Sequence, residues 1–328
     1  MKIVLAGLYY PFAMLSYFRR ALERRTDVEL VTLGAFTGQH IPWNGGMDIP
    51  IKYPNQVDIP LPANMNVVSW NMVKGRLPWE PDLVLNIDAG FHFSTKPDVP
   101  YYVVATDPHV LSPWYEKVRP IADKFFNMQG APYIQDGDIW LPYAFDPKCH
   151  YPVTPTHTED RVEGVGGHLV TIRTVVPDSK QYDCSIIGLH YPQRDEWVSR
   201  LRGHDVKVNY RIGDIYDEYR EESNKAWIGL NWSSLQDVTA RVFEIMAMML
   251  VPVLNRLPGL DALGFEENRH YLGFSSMDEA VEKVLWAKSH PDQAKQIALG
   301  AYQYVNQKQM TWDNRIAQIL STFRQDMV

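Results

Sequence analysis

Cysteine is scarce in this chain of 328 residues, which has only Cys149 and Cys184. Neither residue lies in a Cys-x-x-Cys pair or in a cluster with spaced histidines. Disulfide scaffolds and zinc sites need such clusters, so the sequence argues against both. Two reduced thiols, as in a cytoplasmic protein, are the expectation.

Long hydrophobic runs are missing as well. The apolar N-terminal stretch, residues 1–18, is interrupted by Gly7 and Pro11, and no small-residue cleavage site of a signal peptide follows it. The longest later run, residues 245–254, contains Pro252 and is too short to cross a bilayer. We therefore expect a cytoplasmic protein with no segment inserted into a membrane.

An excess of basic charge is also absent. The chain has 32 lysines and arginines against 39 aspartates and glutamates, a net charge of −7. Proteins that coat nucleic acid are usually basic, so this balance argues against such a role, although it leaves room for an enzyme with a local basic groove. The Gly-x-Gly-x-x-Gly and Walker A motifs are missing too, which argues against dinucleotide-dependent dehydrogenases and P-loop enzymes.

What the chain does contain is a repeated alternation of strands and helices. A buried strand that runs into Gly7, then an amphipathic helix and a second strand, is typical of the first unit of a doubly wound α/β domain. A second strand entering a glycine turn, at Gly188, starts the pattern again. Strands are predicted at 2–7, 28–33, 82–87, 101–106, 124–127, 139–142, 183–188, 206–210, 226–231, 251–254 and 271–274, and later helices at 194–202, 240–250 and 313–324. Two Rossmann-like domains in series are the predicted fold.

The domain boundary is predicted from composition. Residues 151–181 are rich in proline and glycine and contain two short β-prone runs, so we interpret them as the interdomain connection. An N-terminal domain then covers 1–150 and a C-terminal domain 182–310, while a last helix in 311–328 is expected to pack back across the N-terminal domain. A glycine- and proline-rich loop at 36–66 is long enough to suggest a functional role.

Two features of the second domain point to a bound nucleotide. Gly188 ends a strand and Arg194 lies in the first turn of the next helix, an arrangement that suits a diphosphate, although most such glycines only form turns. Arg241 and Glu244 lie three residues apart on an otherwise apolar helix. They form either a surface ion pair or a cleft site in which Arg241 meets phosphate and Glu244 accepts from ribose hydroxyls.

A carboxylate of the first domain is the candidate for the chemistry. Asp107 follows the strand 101–106, at the edge of the sheet where catalytic groups of such folds usually lie. The alternative is an aspartate that caps a helix. Asp88, which follows the preceding strand, is the rival candidate for the catalytic carboxylate.

The order of these motifs resembles the CgeB-like group of GT-B glycosyltransferases, in which two Rossmann-like domains face each other across a cleft. The resemblance covers about residues 80–320. Its pieces are Thr106-Asp107-Pro-His109, Leu141-Pro-Tyr-Ala-Phe-Asp146-Pro, Tyr182-Asp-Cys-Ser-Ile-Ile-Gly188, Tyr191-Pro-Gln-Arg194, Leu230-Asn231, Arg241-Val-Phe-Glu244-Ile-Met-Ala247 and the helical region 298–315. The sequence also resembles the phage DNA β-glucosyltransferase, at Thr106-Asp107, Ser112-Pro-Trp114, Arg194 and Arg241-Val-Phe-Glu244.

These resemblances imply an inverting transferase that uses a UDP-sugar, with Asp107 as the catalytic base. The residues implied in nucleotide-sugar binding are Gly188, Arg194, Asn231, Arg241 and Glu244. Candidate contacts to acceptor or sugar are Tyr9, Asp88, His109 and Trp114. No metal site is expected, so Mg²⁺ or Mn²⁺ would at most stimulate. Retaining relatives carry a glutamate where this chain has Gln236 beside Asp237, which argues against a retaining mechanism.

The acceptor is the point at which several hypotheses stay open. One is a hydroxymethylated pyrimidine in double-stranded phage DNA, which would place the protein in the host cytoplasm and require basic residues against phosphates. Candidates for that patch are Lys74, Arg76, Lys117, Arg119 and Lys124, with Trp43, Trp70, Trp79 and Trp114 as aromatic contacts. A cell-surface glycan, a protein or a small molecule is the alternative acceptor. A module that binds sugar nucleotides without turnover is the third hypothesis.

Overall fold

The computed structural model describes residues 1–10, 13–36, 40–41, 47–48, 57–62, 64–154, 156–165, 168–177 and 180–327. Most of the loop predicted at 36–66, with Trp43, lies outside these residues. Within the first part of the chain the elements are β1 (Lys2–Tyr9), α1 (Met14–Glu23), β2 (Glu29–Phe36), β3 (His40–Ile41), β4 (Met47–Asp48), β5 (Ile59–Leu61), β6 (Val67–Val68), α2 (Trp70–Lys74), β7 (Leu83–Ile87), β8 (His92–Phe93), β9 (Tyr101–Ala105), α3 (Ser112–Val118), a 3-10 turn (Arg119–Ile121), β10 (Lys124–Asn127) and β11 (Ile139–Trp140).

Seven of these strands pair in the order β11-β10-β9-β7-β1-β2-β5, and every pairing is parallel. The central strands are continuous apolar runs because helices cover both faces of the sheet. Leu15, Phe18 and Leu22 of α1 pack on one face. Trp70 of α2 and Tyr115 of α3 pack on the other. The sheet is the doubly wound first domain that the strand and helix pattern predicts.

The second part of the chain begins with a hairpin and continues as a second parallel sheet. Its elements are β12 (Thr156–Val165), β13 (His168–Pro177), β14 (Tyr182–Gly188), α4 (Pro192–Gly203), β15 (Val208–Ile212), α5 (Tyr216–Asn224), β16 (Ala226–Asn231), α6 (Ala240–Ala247), β17 (Val251–Asn255), α7 (Pro258–Ala262), β18 (Leu272–Phe274), α8 (Met277–Ser289), α9 (Pro291–Gln307) and α10 (Trp312–Asp326). Five strands pair in parallel in the order β15-β14-β16-β17-β18. This sheet is the predicted second Rossmann-like unit.

The two β-prone runs of the segment 151–181 are strands, because β12 and β13 pair antiparallel over ten residues each, from Thr156 opposite Pro177 to Val165 opposite His168. The many β-branched residues of this segment favour such a ribbon. The helix predicted at 240–250 ends at Ala247, because Met249 has a φ of 56°, a left-handed conformation that ends helices.

The last helix, α10, lies against the first domain and not against its own sheet. The ring of Trp312 packs on Phe18 with 5.2 Å between centroids. Arg24 of α1 pairs with Asp313 at 2.8 Å. Where the chain returns, the Phe145 N–H donates to the Met310 carbonyl and the Trp312 N–H donates to the Phe145 carbonyl, both at 3.1 Å. The two segments that cross between the domains are therefore hydrogen-bonded to each other.

Candidate active site

The ends of the central strands of both sheets open into one cavity of about 320 Å³. In each sheet the second strand pairs on one side of the first strand, and a later strand pairs on its other side. The point at which the strand order reverses is called a switch point, and ligands of open α/β folds bind there. The first sheet switches between β1 and β7, and the second between β14 and β16. The first domain contributes Tyr10, Met14, Tyr17, Asp88, Thr106, Asp107 and Tyr143, and residues that include Gly188, Arg194, Asn231, Asp237, Thr239, Arg241 and Glu244 come from the second.

Asp107 follows β9 and lines this cavity. It does not cap a helix with its side chain, because α3 begins only at Ser112 and has Leu111 at its N-cap. The Tyr143 hydroxyl donates to Oδ1 of Asp107 at 3.0 Å. Burial, followed by the charges of Asp88 and Asp237, raises the pKa of Asp107 to about 7. A carboxyl group that titrates there can take up a proton at neutral pH.

Asp88, the rival candidate, is held more tightly. Its backbone has a φ of 73°, a left-handed conformation that is strained for a residue other than glycine. The Thr106 hydroxyl and the Ala89 N–H both donate to its Oδ1, and the Tyr10 hydroxyl is a further partner. Burial raises its pKa as well. With these donors already around it, Asp88 is better placed to influence Asp107 than to accept a substrate proton.

A third carboxylate, Asp237, was missed as a candidate. It is 3% exposed, accepts from the Ser233 hydroxyl, and accepts from Nε2 of Gln129 at 3.3 Å. Gln129 belongs to the first domain, so this contact crosses the cleft. The sequence signal for Asp237 is its place beside Gln236, the position at which retaining relatives carry a glutamate.

Arg194 is a half-buried cation with no carboxylate within 4 Å among the described residues. Its Nη1 donates to the Leu189 carbonyl, and its guanidinium lies 5.1 Å from the centre of the Tyr191 ring. Burial and the nearby charge of Arg241 lower its pKa to about 10. A Cβ atom at Gly188 would lie 2.5 Å from Nη1 of Arg194, so the glycine gives the guanidinium its room. The cation is in place for an anionic ligand.

Arg241 and Glu244 form an ion pair with 3.6 Å between Nε and Oε2, but it lies in the cleft and not on the surface. Glu244 is 4% exposed and accepts from the Tyr17 hydroxyl of the first domain at 3.4 Å. The guanidinium of Arg241 lies 4.0 Å from the centre of the Tyr219 ring. The surface alternative for this pair is therefore wrong.

Several polar atoms of this wall are buried without a partner in the described part of the chain. They are Nη1 of Arg241, Nδ2 of Asn231 and Oγ1 of Thr239. Buried polar groups are nearly always hydrogen-bonded, so unpaired ones in a cavity indicate a ligand. An arginine, an amide and a hydroxyl together suit the oxygens of phosphates and ribose.

Three predicted contacts lie outside the cavity. Tyr9 is 1% exposed, and its hydroxyl donates to the Leu5 carbonyl. Successive side chains of a strand point to opposite faces, so Tyr9 points into the core and the next residue, Tyr10, lines the cavity. The His109 ring stacks on Tyr133, with 4.4 Å between ring centroids. The Trp114 ring packs edge-on against His92, at 4.8 Å. These three side chains do not line the cavity, and their polar atoms differ: the hydroxyl of Tyr9 is hydrogen-bonded, whereas both ring nitrogens of His109 and Nε1 of Trp114 are buried without a partner among the described residues.

The basic residues suggested for DNA contact are largely engaged within the first domain. Lys74 pairs with Asp98, and Arg119 with Asp138. Lys124 pairs with Asp326 of α10 at 3.0 Å, and Arg76 donates to the Pro60 carbonyl at 3.4 Å. Lys117 has no ion pair among the described residues, and its Nζ lies 6.0 Å from the centre of the Trp114 ring. Most of these side chains are thus held by contacts within the protein, and the structure offers no support for a DNA partner.

Three further features concern the described residues alone. They contain no group of three or more histidine, cysteine, aspartate or glutamate side chains that could hold a metal ion. No helix among them is long and apolar enough to span a membrane. Cys149 and Cys184 are both free and buried.

Comparison with known proteins finds a family match in the second part of the chain. Residues 170–321 match the family model described as glycosyl transferase-like. No curated protein matches the sequence. The match to a family model agrees with the transferase predicted from the motifs, while the finer resemblance to CgeB-like and phage enzymes stays a prediction.

Solved structures resemble the whole chain. Sucrose-phosphate synthase from Thermosynechococcus elongatus is 11% identical with a TM-score of 0.60, over 100% of this chain and 99% of that one. HepE from Anabaena, in complex with UDP, is 10% identical with a TM-score of 0.58, over 99% and 100%. WaaG, a glycosyltransferase involved in lipopolysaccharide biosynthesis, is 12% identical with a TM-score of 0.56, over 97% and 99%. The chain thus has the GT-B fold, and its residues 170–321 match the glycosyl transferase-like family model.

Proposed function

We propose that this protein is an inverting glycosyltransferase that moves a sugar from a UDP-sugar to an acceptor hydroxyl. One observation carries the proposal: a single cavity holds Asp107 on the wall of the first domain and Arg194 and Arg241 on the wall of the second. A base on one side and cations on the other are what transfer from a diphosphate leaving group requires. HepE, which shares the fold, is solved with UDP, and this supports a uridine donor.

Asp107 acts on the acceptor. Its carboxylate takes the proton of the acceptor hydroxyl while that oxygen forms a bond to the anomeric carbon of the sugar. The bond from the anomeric carbon to the diphosphate breaks on the opposite face, so the configuration inverts. The Tyr143 hydroxyl, 3.0 Å from Oδ1, orients the carboxylate for this step.

Arg194 and Arg241 act on the leaving group. As the diphosphate departs it gains negative charge, which the two guanidinium groups and the N–H groups near Gly188 stabilise. The unpaired Nη1 of Arg241 has room for such a bond. Glu244 accepts from ribose hydroxyls, and Asn231 donates to the nucleotide.

The acceptor has two candidates, a hydroxymethylated pyrimidine in DNA and a neutral hydroxyl of a glycan, protein or small molecule. The geometry favours the neutral acceptor. Three carboxylates, Asp88, Asp107 and Asp237, surround the site of transfer and repel a polyanion. The pairing of Lys74, Arg119 and Lys124 with carboxylates weakens the basic patch that DNA would need.

Incubation of the full chain with UDP-sugars and three acceptors tests the proposal. The acceptors are hydroxymethylated duplex DNA, unmodified duplex DNA and a mixture of neutral oligosaccharides. Release of UDP together with a mass gain of one sugar on an oligosaccharide supports the proposal with its neutral acceptor. A gain on the hydroxymethylated DNA alone supports the transferase but overturns the acceptor. Binding of donor with no turnover on any acceptor indicates a non-catalytic module instead.

The anomeric configuration of the product is a separate test of the mechanism. NMR coupling constants of the transferred sugar are expected to show the configuration opposite to that of the donor. A retained configuration would indicate a different mechanism, in which a group such as Asp237 acts on the sugar from the other face.

The rate is expected to depend on pH through Asp107. Because the carboxylate is the active form and its pKa is about 7, kcat/KM should fall about tenfold per pH unit below pH 7 and level off above it. Asp88→Asn removes a neighbouring negative charge, so it should move this acidic limb to lower pH. A profile that is flat from pH 5 to pH 8 would remove Asp107 from the proton transfer.

Chelation of metal ions should leave most of the activity. The two arginines already supply positive charge to the diphosphate, so excess EDTA is expected to reduce kcat by less than about threefold, and Mg²⁺ or Mn²⁺ to stimulate only modestly. Initial rates of UDP release with EDTA, Mg²⁺ and Mn²⁺ measure this. Complete loss with EDTA and recovery with a metal ion would contradict it.

A further inference from the structure

Arg315 of α10 is a buried cation that the proposed reaction does not use. It is 5% exposed, and no carboxylate lies within 4 Å of it in the described part of the chain. Its partners are two main-chain carbonyls, that of Pro142 at 2.6 Å from Nε and that of Tyr143 at 3.3 Å from Nη2. Burial lowers its pKa to about 10. Burying a charged guanidinium without a carboxylate partner costs free energy, so the contacts of Arg315 should show what it does.

One of these contacts is made to Tyr143, the residue that also contacts the proposed base, Asp107. The carbonyl of Tyr143 accepts from Arg315, and the hydroxyl of the same residue donates to Asp107 at 3.0 Å. A continuous chain of contacts therefore runs from α10 through Tyr143 to the carboxylate. The Tyr143 ring also packs edge-on against Trp312 of α10, with 6.4 Å between centroids.

This segment is also where the chain crosses between the domains. Phe145, two residues after Tyr143, is hydrogen-bonded in both directions to the return crossing at Met310 and Trp312. A change in the angle between the domains has to bend one or both crossings. The position of Tyr143 relative to Asp107 therefore depends on how rigidly the crossing segment is held in place.

We propose that Arg315 is a positioning residue, which fixes the crossing segment 142–143 so that the Tyr143 hydroxyl holds the carboxylate of Asp107 in the orientation for transfer. The proposal rests on the proposed function, and it adds a residue of the last helix that touches neither donor nor acceptor. It links the geometry of the interdomain crossing to the reacting group.

A double-mutant cycle tests this link. The variants are Tyr143→Phe, Arg315→Gln and the double variant, with Arg324→Gln on the exposed side of the same helix as the control. Each single variant should lower kcat about tenfold, with KM for the UDP-sugar within about twofold of wild type. If Arg315 acts through Tyr143, the double variant is no slower than the slower single one. Multiplication of the two effects would overturn the proposal.

The pH profile adds a readout that a merely structural role would not move. Asp88 from the end of β7, Asp237 from the second domain and Tyr143 all face Asp107, and only Tyr143 stabilises its charged form. Loss of the hydroxyl contact should therefore shift the acidic limb of the kcat/KM profile to higher pH in Tyr143→Phe. Arg315→Gln should shift it in the same direction. Arg315→Lys, which keeps one donor to the carbonyls, should restore part of the rate and takes the place of Arg315→Gln if that variant does not fold. An unmoved limb in the Arg315 variant would contradict the link.

A titration that does not depend on activity separates this inference from the proposed function. The ¹³C signal of the Asp107 carboxyl is assigned by its loss in Asp107→Asn and followed against pH. A shift of its midpoint in Arg315→Gln, in a protein that transfers no sugar, supports the link and overturns the transferase. If the wild-type protein transfers sugar, and Arg315→Gln leaves both the midpoint and kcat unchanged, the transferase is supported and the link is overturned.

Discussion

Asp107→Asn is expected to lower kcat by about 1000-fold or more and to leave the Kd for the UDP-sugar within a few-fold of wild type. A positioned general base contributes roughly 10²–10⁴-fold to a rate, and this base lies on the wall opposite the arginines that hold the donor. The asparagine keeps the shape of the side chain and can still accept from the Tyr143 hydroxyl. Initial rates of transfer and calorimetric binding of UDP measure the two effects separately.

The matched control is Asp195→Asn, which changes an exposed carboxylate of α4 that pairs with His190 at 2.9 Å. It should leave kcat within about twofold of wild type. Activity of Asp107→Asn close to that of this control would remove Asp107 as the base. Loss of UDP binding in Asp107→Asn would instead indicate that the variant disturbs the cleft as a whole.

Thermal unfolding shows whether Asp107→Asn is properly folded. The carboxyl group has a pKa of about 7 in the folded protein and an ordinary value near 3.8 when unfolded. Between pH 4 and pH 7 the folded state therefore holds a proton that the unfolded state has lost, so this group lowers stability as pH rises through that window. The variant should be more stable than wild type at pH 8, by roughly 2 to 4 kcal/mol, and about equal to it at pH 4.

Arg194→Met is expected to weaken the binding of UDP at least about 30-fold. A charge-assisted bond from an arginine to a phosphate is worth about 2 kcal/mol, and 1.4 kcal/mol corresponds to a factor of ten in Kd. Stability should not fall, because Arg194 has no carboxylate partner among the described residues and lies near Arg241, whose charge it repels. The melting temperature of the free protein is expected to stay the same or to rise.

The control for this variant is Arg200→Met on the same helix, where the side chain is exposed and pairs with Asp278. Its Kd for UDP should equal that of wild type. Equal weakening in both variants would show that general charge, and not the site, attracts the nucleotide. An unchanged Kd in Arg194→Met would place the diphosphate elsewhere in the cleft.

The strand ends explain why so much of the site could be predicted. A strand that enters a glycine turn is visible in the pattern, and the carboxyl ends of parallel strands share one edge. Gly188, Asn231 and Asp107 therefore line one cavity, as their places after predicted strands suggest. Arg194 could be predicted as a site residue from its place at the start of a helix. Arg241 and Glu244 could be predicted because they are charged residues on an otherwise apolar helix.

Other parts of the site depend on contacts that no local pattern carries. Gln129 and Asp237 are 108 residues apart in the chain, and only the closure of the two domains brings them together. Tyr143 lies in a stretch without strand or helix, so its direction is set by the crossing segment. For Tyr9 and Tyr10 the alternation along β1 was predictable in principle, but a strand expected to end at residue 7 leaves neither side assigned.

The return of α10 has a consequence for biosynthesis. Trp312, Ile316 and Phe323 belong to the same apolar cluster as Ile3 and Leu5 of β1, so α10 completes a core that β1 begins. Domains usually fold as units during synthesis, starting from the N-terminus. We therefore expect the nascent first domain to keep an uncovered apolar face while residues 151–310 are translated. The second domain is then expected to complete its own sheet first, and the first domain to finish folding only when α10 is available.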